Sequence, residues 1–117
     1  MTQEKKPKIV ATILGCGSSG GVPRVGGNWG DCDPHNPKNR RRRCSLLLQG
    51  FYEENGPSTN VLIDTGCDMR EQLLEAGISS LDAVFYTHEH ADHCHGIDDL
   101  RVLALNDRKR VEVYASK

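Results

Sequence analysis

The sequence predicts an α/β (α+β) domain in which helices pack on one face of a mixed sheet. Strand-like and helix-like stretches follow one another in the order β, β, β, α, β, α, β over 117 residues, an order typical of a sheet covered by helices. Asn55-Gly56-Pro57 separates the second and third strand-like stretches and indicates a hairpin connection. Residues 83–87 are almost continuously apolar, as in a strand that is buried on both faces.

Each element follows from a local pattern of residues. Short runs of β-branched and apolar residues predict strands at 8–14, 44–49, 60–64, 83–87 and 111–114. Asp68 and Glu71 have the spacing of a capping box, which predicts that a helix begins at residue 69. Gly77 then supplies an end for this helix after residue 76. Apolar residues at helical spacing predict a second helix at 97–106.

The composition predicts one small globular domain. The chain is 37% hydrophobic and 26% charged with a net charge of −1, so it has no overall attraction to nucleic acid or to a membrane. No apolar run approaches the roughly 20 residues of a membrane helix. Residues 1–7 are polar, lack the apolar core of a secretion signal and are expected to be flexible. We therefore expect a cytoplasmic protein whose five cysteines are reduced.

The strongest chemical signal is the segment 88–93, which reads His-Glu-His-Ala-Asp-His. It follows a predicted strand directly, and its imidazole and carboxylate groups are common metal ligands. In an extended chain His88 and His90 point the same way, whereas Asp92 and His93 follow where the chain turns. The arrangement predicts two divalent metal ions, for which Zn²⁺ suits imidazole and Mn²⁺ suits a site richer in carboxylates. The alternative is an ordinary solvated loop.

Two further motifs lie at the ends of predicted strands. Residues 15–20 match G-x-G-x-x-G, but a dinucleotide site needs a helix at this point, and the glycines and Pro23 that follow disfavour one. A glycine loop whose amides approach a metal or a phosphate is favoured, with a plain flexible loop as the alternative. Asp64 ends the third strand. There it can hold the shape of the His loop or serve only in a turn.

A run of positive charge follows the glycine loop. Residues 38–43 contain five positive charges, and guanidinium groups match the geometry of phosphate oxygens. The candidate ligands of a substrate phosphate are Arg40, Arg41, Arg42 and Arg43. A solvated loop that is paired with surface acids is the alternative. Cys32, His35 and Cys44 form a partial zinc-binding pattern, which lacks a fourth ligand.

Three separate pieces of the chain resemble the metallo-β-lactamase-fold hydrolases. They are the glycine loop through residues 15–23, the strand end Asp64-Thr65-Gly66, and the His motif at 88–93 with Gly96 after it. Residues 31–45 resemble the branch that contains the phosphoribosyl 1,2-cyclic phosphate phosphodiesterase of phosphonate breakdown. The resemblance implies that the chain is the N-terminal portion of a single domain, the first half of a four-layer αββα sandwich.

The same resemblance implies roles for the motif residues. His88 and His90 would bind one metal ion, Asp92 and His93 would bind a second, and Asp92 would also serve in catalysis. Asp64 would support these ligands from behind. A metal-bound hydroxide would attack the substrate. Family members take further ligands from the second half of the sandwich, so the chain alone is expected to be inactive and to need a C-terminal half or a homo-oligomer over its open sheet face.

The favoured function is therefore hydrolysis of a small cyclic or nucleotide-like phosphodiester by a metal-dependent enzyme. A ribonuclease similar to the tRNA 3′-processing enzymes is the first alternative, in which the substrate is RNA. A non-catalytic half-domain that binds a metal or a nucleotide is the second. No membrane partner is expected.

Overall fold

The computed structural model describes residues 7–116. Residues 1–6, for which the sequence predicts flexibility, lie outside the described residues. The strands are β1 (Lys8–Gly15), β2 (Ser45–Phe51), β3 (Ser58–Ile63), β4 (Ala83–Tyr86) and β5 (Glu112–Ala115), and the helices are α1 (Met69–Ala76), α2 (Ala91–Cys94) and α3 (Leu100–Asp107). The predicted order of elements is confirmed, and α2 is an addition within the predicted His loop.

The five strands form one mixed sheet in the order β1-β2-β3-β4-β5. The pairs β1–β2 and β2–β3 are antiparallel, and the pairs β3–β4 and β4–β5 are parallel. The predicted hairpin is confirmed, with a register that runs from Leu46↔Ile63 to Phe51↔Ser58. Because β3 and β4 are parallel neighbours, their carboxyl-terminal ends lie side by side at the same end of the sheet.

The hydrophobic core lies on one face of this sheet. Leu47, Leu62 and Val84 are opposite one another on β2, β3 and β4, and each is at most 1% exposed. The core residues from the helices are Met69 and Leu73 of α1 and Leu100 and Leu103 of α3. Each fully buried leucine stabilises the fold by roughly 2–3 kcal/mol relative to an exposed one. The predicted packing of helices on one face is confirmed.

The opposite face of the sheet is apolar and open. One cross-strand row on this face consists of Ile13, Leu46, Ile63, Phe85 and Tyr114. Ile13 is 72% exposed and Phe85 is 43% exposed. The prediction that β4 is buried on both faces is therefore wrong for the described residues, because the helices pack on only one face. Phe85 instead stacks on Tyr114, with ring centroids 4.8 Å apart.

The first helix has the predicted bounds but not the predicted cap. It ends at Gly77, which adopts a left-handed conformation with φ of 69°. The side chain of Asp68 makes no hydrogen bond to the start of the helix. Its carboxylate accepts hydrogen bonds from the backbone N–H of Arg43 at 2.9 Å and from the Arg43 guanidinium at 3.1 Å. The capping-box prediction is wrong because this ion pair uses the carboxylate.

The second predicted helix also differs in one respect. Its first turn, Ile97–Asp99, is a 3-10 turn, and the α-helix begins at Leu100. No helix within residues 7–116 is long and apolar enough to cross a membrane.

Candidate metal centre

The three histidines of the 88–93 segment converge just beyond the end of β4. The ring centroids of His88 and His90 lie 4.6 Å apart, and those of His88 and His93 lie 4.2 Å apart. Asp92 joins them, with its Oδ2 3.1 Å from Nε2 of His93. The turn that brings His93 back towards His88 is helix α2, whose backbone bond runs from the His93 N–H to the His90 carbonyl. All four predicted metal ligands thus lie in one cluster.

Asp64 lies behind this cluster, immediately after β3. Its φ of 66° is left-handed, a conformation that Asp and Asn adopt more readily than other residues with side chains. The residue is 4% exposed. One carboxylate oxygen accepts from the Thr87 backbone N–H at 2.8 Å, and the other accepts from the Thr87 hydroxyl and from Nδ1 of His93, both at 2.7 Å. The buried carboxylate therefore has a partner for each oxygen.

These bonds determine which ring nitrogens are free. A carboxylate can only accept, so Nδ1 of His93 carries a proton and its Nε2 is free to bind a ligand. The Thr87 hydroxyl gives its proton to Asp64, so Nδ1 of His88, 2.8 Å away, donates to the same hydroxyl. Nε2 of His88 is then free as well. One carboxylate thus orients two imidazoles, directly for His93 and through Thr87 for His88.

The arrangement fits a metal cation. With Nδ1 of His93 donating to Asp64, the Nε2 lone pair faces the carboxylate of Asp92 across 3.1 Å. Two acceptors this close need a cation beside them, either a proton on Nε2 or a metal ion. Within the described part of the chain no group of three His, Cys, Asp or Glu side chains is arranged to hold a metal ion. The predicted division of the ligands, in which the chain gives two to each ion, stays a prediction.

The strand end Asp64-Thr65-Gly66 is bonded to the His loop along its length. The Thr65 N–H donates to the His93 carbonyl at 2.9 Å, and the Gly96 N–H donates to the Thr65 carbonyl at 2.8 Å. A Cβ at Gly66 would lie 2.6 Å from the carbonyl oxygen of Asp92. Sequence reasoning did not assign a role to Thr65 or Thr87. The only local signal was their position directly after or before a predicted site residue.

Tyr86 is the last residue of β4 and contacts the strand end that supports the His cluster. Its hydroxyl lies 2.6 Å from Oγ1 of Thr65, a residue that is fully buried. Burial raises the pKa of Tyr86 above its ordinary value of 10.0, the hydrogen bond from Thr65 opposes this, and the nearby charges of Cys94 and Asp64 add to the rise. Tyr86 therefore keeps its proton at neutral pH and can donate it to Thr65.

We expect Tyr86→Phe to lower the free energy of unfolding by about 1 kcal/mol, because it removes this hydrogen bond and leaves the buried Thr65 hydroxyl short of a partner. Urea-induced unfolding monitored by circular dichroism measures the change. Tyr114→Phe is the matched control, since Tyr114 is 50% exposed and its hydroxyl has no hydrogen-bond partner within residues 7–116. Equal stability of the two variants would contradict a structural role for the Tyr86 hydroxyl.

Two of the four arginines at positions 40–43 form ion pairs. Arg42 pairs with Glu75 at 2.7 Å, and Arg43 pairs with Asp68 at 3.1 Å. Arg40 and Arg41 are exposed and form no ion pair with any residue in the described range. Of the four predicted phosphate ligands, these two have uncommitted guanidinium groups.

The other two predicted motifs do not form the sites that their patterns allow. Cys32, His35 and Cys44 are exposed, and they are not among any three-donor group in the described residues. After the G-x-G-x-x-G loop, the next regular element is a single 3-10 turn at Pro37–Asn39, so the helix that a dinucleotide site requires does not follow.

A family model described as the β-lactamase superfamily domain matches residues 59–117, half of the chain. A solved structure described as a new diphosphatase from the PhnP family is 39% identical in sequence, with a TM-score of 0.78. The match covers 96% of this chain and 43% of the diphosphatase chain.

Two more distant structures share the fold. The metallo-β-lactamase fold protein YhfI from Bacillus subtilis is 22% identical with a TM-score of 0.60, and the match covers 95% of this chain and 37% of YhfI. Zn²⁺-bound PqqB from Methylobacterium extorquens is 17% identical with a TM-score of 0.53, and the match covers 91% of this chain and 45% of PqqB.

A curated relative carries a different name. The octanoyltransferase of Porphyromonas gingivalis (strain ATCC BAA-308 / W83) is 42% identical over 105 residues, which are 90% of this chain but only 20% of that protein. The chain thus spans a fifth of this relative and less than half of each structure that it matches. On the family match and the shared fold, the chain belongs to the metallo-β-lactamase superfamily and corresponds to the N-terminal half of its fold.

Proposed function

We propose that the chain carries the first half of the active centre of a metal-dependent hydrolase that acts on a small cyclic or nucleotide-like phosphodiester. The observation that carries this proposal is the bonding of Asp64, which leaves Nε2 of His88 and of His93 free. Imidazole nitrogens held in this way by a carboxylate are typical of metal sites. The 39% identical diphosphatase supports phosphate chemistry.

The residues divide the work at this centre. His88 and His90 would hold one divalent ion, and Asp92 and His93 would hold a second, with Zn²⁺ and Mn²⁺ as the candidates. Such ions, when bound, polarise a phosphoryl oxygen and activate water for attack. Asp64 keeps the imidazoles in the tautomers that can bind. Asp92 would also serve in catalysis, as a carboxylate of the cluster that can accept a proton.

The phosphate of the substrate would be neutralised by the uncommitted arginines. Arg40 and Arg41 follow the 3-10 turn, and the backbone of Arg41 pairs with that of Val22 in the glycine loop. This pairing keeps the arginine run against the loop at the edge of the sheet where β1 ends. Guanidinium groups suit phosphate oxygens because they offer paired donors.

We also propose that the open sheet face is covered in the active protein, by a C-terminal half of the domain or by a second copy of the chain. Monomeric proteins rarely expose a continuous apolar patch of this kind. The exposed row from Ile13 to Tyr114 supports this proposal, as does the 43% share of the diphosphatase that the chain spans.

The test combines metal binding with hydrolysis. The chain is stripped with a chelator, titrated with Zn²⁺ or Mn²⁺, and assayed on bis(4-nitrophenyl) phosphate, 2′,3′-cyclic AMP and a tRNA. We expect metal binding that is lost in His90→Ala and retained in His95→Ala, because His95 is exposed and lies outside the cluster. We expect metal-dependent turnover of the small esters only when a C-terminal half of the domain or a second copy covers the open sheet face, and none from the chain alone.

Three results would overturn parts of the proposal. Equal metal affinity of His90→Ala and His95→Ala would show that His90 is not a metal ligand. Turnover of the tRNA alone would favour the ribonuclease alternative. Tight metal binding with no turnover of any ester, in a protein whose open sheet face is covered, would favour the non-catalytic binding domain.

A further inference from the structure

A cavity lies within the glycine-rich segment that follows β1. Its volume is about 250 Å³, and its lining includes Ser18, Gly21, Arg24, Asn28 and Trp29. We propose that it binds the nucleoside phosphate portion of the substrate, with the guanidinium of Arg24 on the phosphate and the indole of Trp29 against the base. Because it treats that ligand as the substrate of the metal centre, this assignment rests on the proposed function.

Backbone hydrogen bonds hold the walls of the cavity. The Arg24 N–H donates to the Asn28 carbonyl and the Gly27 N–H donates to the Arg24 carbonyl, both at 2.9 Å. The Asn28 side-chain oxygen accepts from the Gly30 N–H, also at 2.9 Å. The segment is therefore a pair of closed turns, and the residues that line the cavity are held in a defined arrangement.

The side chain of Arg24 lies across the glycine loop. A Cβ at Gly20 would come within 3.0 Å of Cγ and 3.4 Å of Nε of Arg24. The absence of a side chain at Gly20 thus allows the arginine to lie flat against the loop. This contact places the side chain of Arg24, from Cγ to Nε, against the loop.

The residues that line the cavity favour a ligand that carries both a negative charge and an aromatic ring. No carboxylate lines the cavity, and Arg24 forms no ion pair with any residue between 7 and 116. Its guanidinium is therefore free for a phosphate, and the Ser18 hydroxyl and the Asn28 amide add polar groups. The half-buried indole of Trp29 offers a surface for stacking, and the stacking of a base on an aromatic side chain is favourable for any base.

Arg43 connects this cavity to the metal centre. Its Nε donates to the Ser19 carbonyl of the glycine loop at 3.2 Å. Its Cβ lies 3.9 Å from the position that a Cβ would take at Gly66, and that position is also 2.6 Å from the carbonyl oxygen of Asp92. One residue therefore separates the glycine loop from the His loop. In the proposed site, the phosphates of the nucleotide would point towards the metal ligands.

ADP is the probe for this site, and Trp29 is its reporter. The chain has one tryptophan, so indole fluorescence reports on this cavity alone. We expect ADP to quench the fluorescence in the presence of a chelator, and calorimetry to give a weaker affinity for adenosine and for inorganic phosphate. We expect Arg24→Ala to weaken ADP binding about tenfold or more, since it removes a charge-assisted contact. Arg101→Ala, a change to an exposed arginine of α3, should leave the affinity unchanged.

Two substitutions of Trp29 test whether its aromatic ring contributes to ADP binding. Trp29→Phe retains an aromatic ring and should keep most of the affinity in calorimetry, whereas Trp29→Ala should lose several-fold more. ADP affinity that is equal in the native chain, Arg24→Ala and Trp29→Ala would overturn the inference, as would binding without any change in fluorescence. Arg24-dependent ADP binding without metal-dependent turnover, in a protein whose open sheet face is covered, would refute the proposed function but keep the site. Metal-dependent turnover, together with an ADP affinity that Arg24→Ala leaves unchanged, would refute the proposed cavity site but not the proposed function.

Discussion

Gly96→Ala is expected to destabilise the fold by about 2–4 kcal/mol and to displace the His loop. A Cβ at Gly96 would overlap the carbonyl oxygen of Gly66 and lie 3.1 Å from that of Thr65. Both obstacles are backbone atoms, so neither can rotate away as the end of a side chain could. Relief requires the loop to move from the end of β3, and this movement breaks the 2.8 Å bond from the Gly96 N–H to Thr65.

Gly50→Ala is the matched control for this change. Gly50 lies in β2, and no atom lies within 4 Å of the Cβ that it would gain. We expect this control to change the free energy of unfolding by no more than about 0.5 kcal/mol. Urea-induced unfolding of both variants measures the difference, and a Zn²⁺ titration reports whether the loop still presents its ligands. If Gly96→Ala proves as stable as Gly50→Ala, the close packing of the two loops is refuted.

The elements of the fold could be predicted because their signals are local. The short apolar runs of β2 and β3 and the turn at Asn55-Gly56-Pro57 are sufficient for the hairpin. Helix α1 ends at Gly77 because glycine adopts a left-handed φ without strain. The capping box at Asp68 could not be tested from the sequence, because its competitor, Arg43, is 25 residues away along the chain.

Burial could be predicted less well than the elements. The apolar residues of β4 indicate burial on two sides, yet the helices of residues 7–116 cover only the face that carries Val84. Phe85 on the other face is therefore exposed, although its type is that of a core residue. The apolar residues of a strand indicate that a face of the sheet must be covered, but they do not indicate which part of a protein covers it.

The candidate site divides in the same way. The four ligands at 88–93 could be named because they are close in sequence and have a specific order. Thr87 could not, and Thr65 and Gly96 could be named only as parts of motifs without roles of their own. The roles of all three are contacts with residues that lie far along the chain or with backbone groups. Asp64 could be named from its place at a strand end, but a role in a plain turn stayed open as the alternative, because its three hydrogen bonds come from residues more than 20 positions away.

Asp64→Asn is expected to weaken metal binding by about 10- to 100-fold, through the loss of the group that orients His88 and His93. Three donors converge on this carboxylate, which are the N–H and hydroxyl of Thr87 and Nδ1 of His93. An asparagine has one acceptor oxygen and one donor amide in the same shape. In either orientation of the amide, its NH₂ group faces at least one of these donors, so His93 or Thr87 must turn away.

The substitution isolates this chemistry from the backbone. Asparagine adopts the left-handed φ of 66° as readily as aspartate, so the turn after β3 carries no new strain. We expect the free energy of unfolding to fall by about 1–3 kcal/mol, because a buried donor loses its acceptor. Asp98→Asn is the control, since Asp98 has a side chain that is 82% exposed and, among residues 7–116, pairs only with Arg101.

A Zn²⁺ titration against a competing chelator, carried out on both variants, decides the role of Asp64. Weaker Zn²⁺ binding in Asp64→Asn, with native affinity in Asp98→Asn, would show that the tautomers of the imidazoles depend on the buried carboxylate. If Asp64→Asn instead binds Zn²⁺ as tightly as the native chain, the imidazoles are oriented by the backbone of α2 and by Thr87 alone. The carboxylate would then serve only to join β3 to the His loop, and the case for a built metal centre would rest on the histidines themselves.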